Sequence, residues 1–300
     1  MSETVESFGS GFLRTTIVGN GEDGYVWTRR PGPDRRDAMR MPDPAVLAAV
    51  RGVPPGRVRL TLPVRGDGAG MAYRTDQATT LAGVFRKGHP DVARIAADTL
   101  AETGATLARL HAAPLPPADL RPPEGPRRLL SWLRNGEGPR AAPELRRHAA
   151  EILGPNRTAT VAGWCVPERP RALLHGAPSL GVLLPLTPDH DGALLTGENL
   201  SAGAPESDVG WLVGELVEFR ELTDRFGNGA LDHDALIRRV LDGYAAPLDL
   251  AAVGRSATVR FLSHAHDFAA YLQWHDILVD YLRMVADVID AAEAGRLVPG

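Results

Sequence analysis

The hydrophobic period of this chain changes near Pro90, and that change bounds the folds open to it. Upstream, the pattern is strand-like. Phe12 to Val18 and Tyr25 to Arg29 flank Gly19-Asn20-Gly21-Glu22-Asp23-Gly24, the pattern of a strand–loop–strand hairpin. Asp43-Pro44 opens a short helix through Ala49. Arg57 to Val64 alternates Val58, Leu60 and Leu62 and predicts a strand, Gly66 to Gly70 a turn, and Met71 to Arg74 and Thr80 to Phe85 further extended segments. Downstream, Val92, Ala96, Leu100, Thr103, Leu107 and Leu110 recur at helical spacing. A Pro/Gly/Arg-rich excursion spans Arg121 to Pro143, around Leu129 to Leu133, and helices follow over about 144–153 and 156–164. Ala172 to His175 reads as a short buried strand, Gly181 to Thr196 as a second hairpin, and Pro205-Glu-Ser-Asp208 as the cap of a strong helix. The last third is helical and ends in a stripe of Leu278, Tyr281, Leu282, Val285, Val288 and Ile289. The expectation is an α+β chain with a strand-rich part over 1–89 and a mainly helical part over 90–300.

Composition narrows the function. At 300 residues, 44% hydrophobic and 23% charged, the chain has core material for one large or two small domains. A net charge of −4 argues against a dedicated nucleic-acid binder, which carries a basic face. The single cysteine, Cys165, excludes an intrachain disulfide scaffold. The polar, acidic start lacks a signal-peptide pattern, and the apolar stretch Leu180 to Leu186 falls far short of the roughly 20 residues of a membrane helix. A soluble cytoplasmic protein is expected. Lys87 is the only lysine, so any chemistry needing a cationic anchor falls to Lys87 or to one of 32 arginines.

Two constellations invite a site. His264, Asp267, Tyr271 and His275 lie at spacings that give a helical face, read as packing or as a substrate or partner surface. They do not read as a metal centre: His264 and His275 would lie about 16 Å apart along a helix axis. Gly19 and Gly21 could cover a phosphate between two strands, although an Asn-Gly hairpin needs the same residues.

Three segments carry a resemblance. Leu173-Leu-His-Gly-Ala-Pro-Ser-Leu-Gly-Val-Leu-Leu184, Ala193-Leu-Leu-Thr-Gly-Glu198 and Ala204-Pro-Glu-Ser-Asp-Val-Gly-Trp-Leu-Val-Gly-Glu-Leu216 follow one another in order. Together they resemble the aminoglycoside phosphotransferase and choline kinase-like family, and Leu107 to Ala112 is similar to its linking helix. The resemblance implies a two-lobed protein kinase-like fold, with a β-rich N-lobe and a helical C-lobe, that uses ATP and Mg²⁺. It also implies what has changed. The family's base position is matched by Ala177, its metal-binding Asn by Val182 and its second metal Asp by Thr196. The small-lobe lysine has no counterpart, and Arg29 or Arg30 is the nearest cation.

Alanine accepts no proton, valine ligates no metal and threonine is a poor ligand for a hard dication, so weak or absent Mg·ATP binding is expected. His175 and Asp208 are expected to hold the loop and its following helix. Glu198 and Ser179 are the side chains through which an altered site would work. In size, arginine content and fold the chain is similar to the kinase-like proteins found beside Hop-effector-like lyases in thioamitide and class V lanthipeptide (RiPP) pathways. That likeness implies a lyase-like partner and a precursor peptide in Ser/Thr phosphorylation-dehydration. An unconventional antibiotic or small-metabolite phosphotransferase and a non-catalytic pseudokinase scaffold stand beside it.

Overall fold

A computed structural model describes residues 3–19, 24–66, 70–167, 169–227 and 231–300. The elements run β1 (Glu3–Gly9), β2 (Leu13–Gly19), β3 (Tyr25–Pro31), α1 (Pro44–Arg51), β4 (Val58–Thr61), β5 (Val64–Arg65) and β6 (Met71–Thr75). The chain continues through α2 (Leu81–Lys87), α3 (Val92–His111), α4 (Glu124–Asn135) and α5 (Ala142–Trp164). Next come β7 (Ala172–Leu174), β8 (Leu183–Leu184), β9 (Gly192–Leu195) and β10 (Ser201–Gly203). Four helices finish it: α6 (Pro205–Phe226), α7 (His233–Tyr244), α8 (Leu250–Tyr271) and α9 (Ile277–Glu293).

The small sheet has the order β1-β2-β3-β6-β5, with every pair antiparallel. Strand alternation gives it two different faces. The row Ile17, Trp27, Tyr73 and the row Thr15, Arg29, Met71 face the helical part. Ile17, Trp27, Met71 and Tyr73 are all at most 1% exposed and join the main hydrophobic core. β4 does not extend this sheet. It pairs in parallel with β9, and β9 pairs with β8, so the parts expected at 1–89 and 90–300 share a sheet.

The expected hairpin over 12–29, the helix after Pro90 and the helix opened at Pro205 lie where the sequence places them. The C-terminal stripe is buried throughout, from Leu278 to Ile289. The excursion around Leu129 to Leu133 instead folds as α4, and the helices expected over 144–153 and 156–164 join as α5 across a kink at Gly154. Three further expectations change. Thr80 to Phe85 is not extended but enters α2, because the Thr80 hydroxyl accepts from Gly83 N (3.1 Å) and Gly88 closes the helix at φ +63°. The strand over 57–64 breaks at Leu62-Pro63 into β4 and β5. β1 has no counterpart in the sequence reading, since its exposed Val5 and Phe8 leave no clean alternation. The turn expected at Gly66 to Gly70 lies largely outside the described residues.

α3 and α7 cross at glycines. A Cβ at Gly104 would stand 2.2 Å from Val240 O, and one at Gly243 would stand 2.0 Å from Ala101 O. Backbone contact this close admits no side chain, which explains glycine in helix interiors despite its propensity cost. Gly243→Ala is expected to destabilise the fold by about 1–3 kcal/mol through overpacking. Gly163→Ala, at a position with open space, is expected to be neutral or to stabilise by up to about 1 kcal/mol. Urea denaturation of the two variants distinguishes them.

Candidate active site

The loop after β7 is held by one buried carboxylate. Asp208, in the first turn of α6 and 1% exposed, accepts from His175 N (2.6 Å) and Gly176 N (2.8 Å). The ring of His111 lies 3.1 Å from the same carboxylate and 2.9 Å from the Tyr244 hydroxyl. The N-terminal turn of α6 adds its favourable dipole. His175 Nε2 lies 3.1 Å from Leu195 O, and burial lowers its pKa, so the ring is kept neutral as a strut. Gly176 is obligatory. Its φ is +84°, and a Cβ there would stand 1.8 Å from Asn199 O.

Held this way, the loop brings Ala177, Ser179 and Val182 to one cavity of about 200 Å³ at the junction of the small sheet and the helical part. Thr196, Glu198 and Asn199 enter from the end of the β8–β9 hairpin, Arg29 from β3, and Arg128, Arg260, His264 and Asp267 from the helices. The cavity runs into a larger cleft of about 720 Å³, the two sharing Arg128, Ala177, Glu198, Asn199 and Trp211.

Its electrostatics are those of arginine–carboxylate pairs. Arg35 grips both oxygens of Glu198, at 2.7 and 2.6 Å, with only 8% and 16% of the two side chains exposed. Arg128 does the same to Asp267, at 3.2 and 2.6 Å. Against the burial that would raise it, the Arg128 charge and a hydrogen bond from the His266 ring hold the Asp267 carboxyl well below the usual range. Arg260 pairs with Glu215 at 2.5 Å, and the other Glu215 oxygen accepts from Leu180 N at 2.6 Å. Phe12 lies between the guanidiniums of Arg35 and Arg128, 4.6 and 4.9 Å from its ring centre, and against Tyr271. Thr196 is committed as well, its hydroxyl donating to Thr61 O at 3.0 Å.

The structure redistributes several expected site residues. Arg29 and Arg30 separate, as neighbours on a strand must. Arg29 enters the cavity, while Arg30 points to the opposite face of the sheet. Gly19 ends β2 beside Tyr25, and Gly21 lies outside the described residues. A second glycine turn, Gly9-Ser10-Gly11, follows the unforeseen β1 and lines a different groove; Gly11 N donates to Tyr271 O at 2.6 Å. The helical face is also shorter than expected. α8 ends at Tyr271, so His275 falls in the next loop, where its ring accepts from Ile277 N. His264 and Asp267 line the inner cavity, and Tyr271 the outer cleft.

Sequence reasoning missed Trp27, Arg35, Arg128, Arg260 and Glu215. In a chain with 32 arginines, no single one stands out, and pairings this distant in sequence leave no local pattern. Trp27 fills the small-sheet side of the junction. Its indole donates to Gln77 O (2.9 Å) in the segment joining β6 to α2, and the Thr75 hydroxyl donates to the same carbonyl (2.8 Å).

No family model matches the chain, and no curated protein matches it. Solved structures do. An ethanolamine kinase from Plasmodium vivax superposes with a TM-score of 0.54 at 10% identity, covering 96% of this chain and 82% of that one. The aminoglycoside phosphotransferase APH(2'')-Ib, solved with ADP bound, superposes with a TM-score of 0.51 at 11% identity, covering 97% and 94%. The chain has a protein kinase-like fold. The kinase-like expectation for the architecture therefore holds: a β-sheet N-terminal region on a helical C-terminal region, as in aminoglycoside phosphotransferases and choline kinase-like proteins. No helix of the described residues is long and apolar enough to cross a membrane.

Mg²⁺ does not fit the kinase-like cavity as built. A hard dication needs several free oxygen ligands. Here both oxygens of Glu198 are taken by Arg35, Asp267 by Arg128 and Glu215 by Arg260 and Leu180 N. Among the described residues, no three His, Cys, Asp or Glu side chains are grouped as metal ligands.

Two outcomes are expected. Arg35→Gln strands a buried carboxylate and costs about 3–5 kcal/mol, while the Arg35→Gln/Glu198→Gln pair costs less than the single change. Chemical denaturation of the cycle measures this. The second concerns His264, whose pKa is raised by the Glu218 carboxylate 2.5 Å away. Arg260, Glu215 and Tyr281 also face this pair. A raised histidine pKa stabilises fully below the unfolded value of about 6.5, and that contribution is lost as pH climbs through the folded value. The melting temperature is therefore expected to fall as pH rises above about 6.5, and His264→Gln to flatten that fall. His175 and His233, whose pKa values are lowered, act below the unfolded value and do not confuse the two windows.

Proposed function

We propose that this chain is a kinase-fold recognition protein that has given up ordinary Mg·ATP phosphoryl transfer and works with a partner protein in the modification of a peptide. One observation carries the reading. Ala177, Val182 and Thr196 line the same cavity, and the carboxylate beside them, Glu198, has both oxygens bound by Arg35. Phosphoryl transfer rests on positioning and on charge stabilisation of the transferred group, by metal ions and cationic side chains. A site whose carboxylates are each committed to an arginine has no free carboxylate to serve as base or clamp.

The segment joining β6 to α2 is tightly packed as well. A purine entering beside the β6–α2 segment would have to displace the Trp27 indole, 1% exposed, and compete with two donors already on Gln77 O. Peptide recognition fits the outer cleft better than a small metabolite does. Sites for small metabolites are mostly apolar and enclosing. This cleft is lined by charges of both signs, among them Arg36, Arg40, Arg121, Asp37, Asp43 and Glu137. The partner, a lyase-like protein in this reading, supplies the chemistry.

A second reading keeps turnover. Arg29 enters the cavity without a carboxylate partner among the described ion pairs, beside the Ser179 hydroxyl. It could hold a phosphoryl group without a metal. Titration with ATP, with and without Mg²⁺, separates the two. Neither a shift in melting temperature nor phosphate incorporation is expected at millimolar nucleotide. A micromolar dissociation constant with clear Mg²⁺ dependence by calorimetry overturns the first reading. Transfer lost on Arg29→Gln establishes the second.

A further inference from the structure

The outer face of the small sheet carries a second, separate feature. Across β2 and β3, Arg14 stands directly opposite Arg30, with Gly9 of β1 completing the row. Like charges placed directly opposite on a sheet are destabilising unless something answers them. Nothing here does: among the described ion pairs, neither arginine has a carboxylate partner, and both are exposed. The neighbouring row, Ser7, Thr16 and Thr28, presents hydroxyls on the same face.

These rows floor a groove of about 800 Å³ whose far wall is the end of α8 and the residues after it. Arg140 stands in that wall, fixed by Asp34 at 2.6 Å and by Leu272 O, with its backbone at φ +48°. Three arginines therefore line the groove and, among the described residues, no aspartate or glutamate does, in a chain with a net charge of −4. Asp34 neutralises Arg140, so the unanswered positive charge of the groove is that of Arg14 and Arg30, concentrated at one place on an acidic protein.

We infer that this groove docks an acidic, extended peptide segment of a partner, its carboxylates meeting Arg14 and Arg30. The shape of the site favours peptide over a lone anion. β1 is an edge strand, so its outer backbone groups are open to an added strand. Phe8 and Leu272, 44% and 40% exposed, offer apolar contacts at the rim. Polynucleotide is disfavoured by the acidity of the rest of the chain. The inference rests on the proposed function only for the kind of partner. The groove lies on the opposite face of the sheet from the cavity that Arg29 enters.

Fluorescence anisotropy of the full chain with a short labelled peptide alternating glutamate and valine tests it. Binding is expected, weakening as ionic strength passes about 0.15 M, and lost when glutamine replaces glutamate. Arg14→Gln/Arg30→Gln is expected to weaken binding about tenfold or more. The melting temperature of that variant is expected to be equal or higher, because the cross-strand repulsion is gone. Failure to bind, equal binding by the double variant, or displacement of the peptide by oligothymidine or inorganic phosphate at equal charge concentration overturns the inference. Phosphate incorporation from ATP by the same variant would overturn the proposed function and leave the groove standing.

Discussion

A buried carboxylate receiving bonds from two backbone amides and lying against a histidine ring organises everything that follows it. Asp208 is desolvated, and a desolvated charge is tolerable only when fully bonded. His175 N, Gly176 N and the His111 ring meet that need, and in doing so they fix the strand β7, the long helix α3 and the start of α6 relative to one another. The loop over 177–182 cannot drift, because its first residues hang from that carboxylate. What the loop presents is then decided by side-chain identity alone. Ala177 and Val182 present nothing polar.

The frame is therefore separate from the side chains it presents. It depends on backbone amides, a glycine at positive φ and one aspartate. The carboxylates that line the cavity are each paired with an arginine. Arg35–Glu198 and Arg128–Asp267 are two-pronged contacts and Arg260–Glu215 a single one, and together they stiffen and neutralise the junction. A carboxylate so held is a weaker base, because the adjacent guanidinium charge stabilises its ionised form.

The frame was legible because its signals are local. The period change near Pro90, the short apolar strand from Ala172 and the Pro205 helix start are all read within a few residues, and β7, α6 and α9 lie accordingly. The arginine pairs were not legible. Arg35 and Glu198 are 163 positions apart, and Arg128 and Asp267 are 139 apart, so only the fold brings them together. β1 escaped because an edge strand needs no buried face to be paired. His275 was misplaced for a simpler reason: periodicity runs on in the sequence after the helix has stopped at Tyr271.

The junction between the two parts also bears on what the cleft does. Enzymes that close over a substrate need elements joined by few contacts, so that opening costs little. Here the small-lobe strand β4 is hydrogen-bonded in parallel to β9, and the Tyr73 hydroxyl donates to Thr196 O at 2.7 Å. Gly11 N is tied to Tyr271 O, and Arg35 to Glu198. The sheet, the linker and the helical part also share one hydrophobic core, with Trp27 and Tyr73 in its middle. Opening such a junction would break a strand pairing, a buried ion pair and apolar contacts at once. A strand pairing, a buried ion pair and a shared core thus tie the small sheet to the helical part at several independent places.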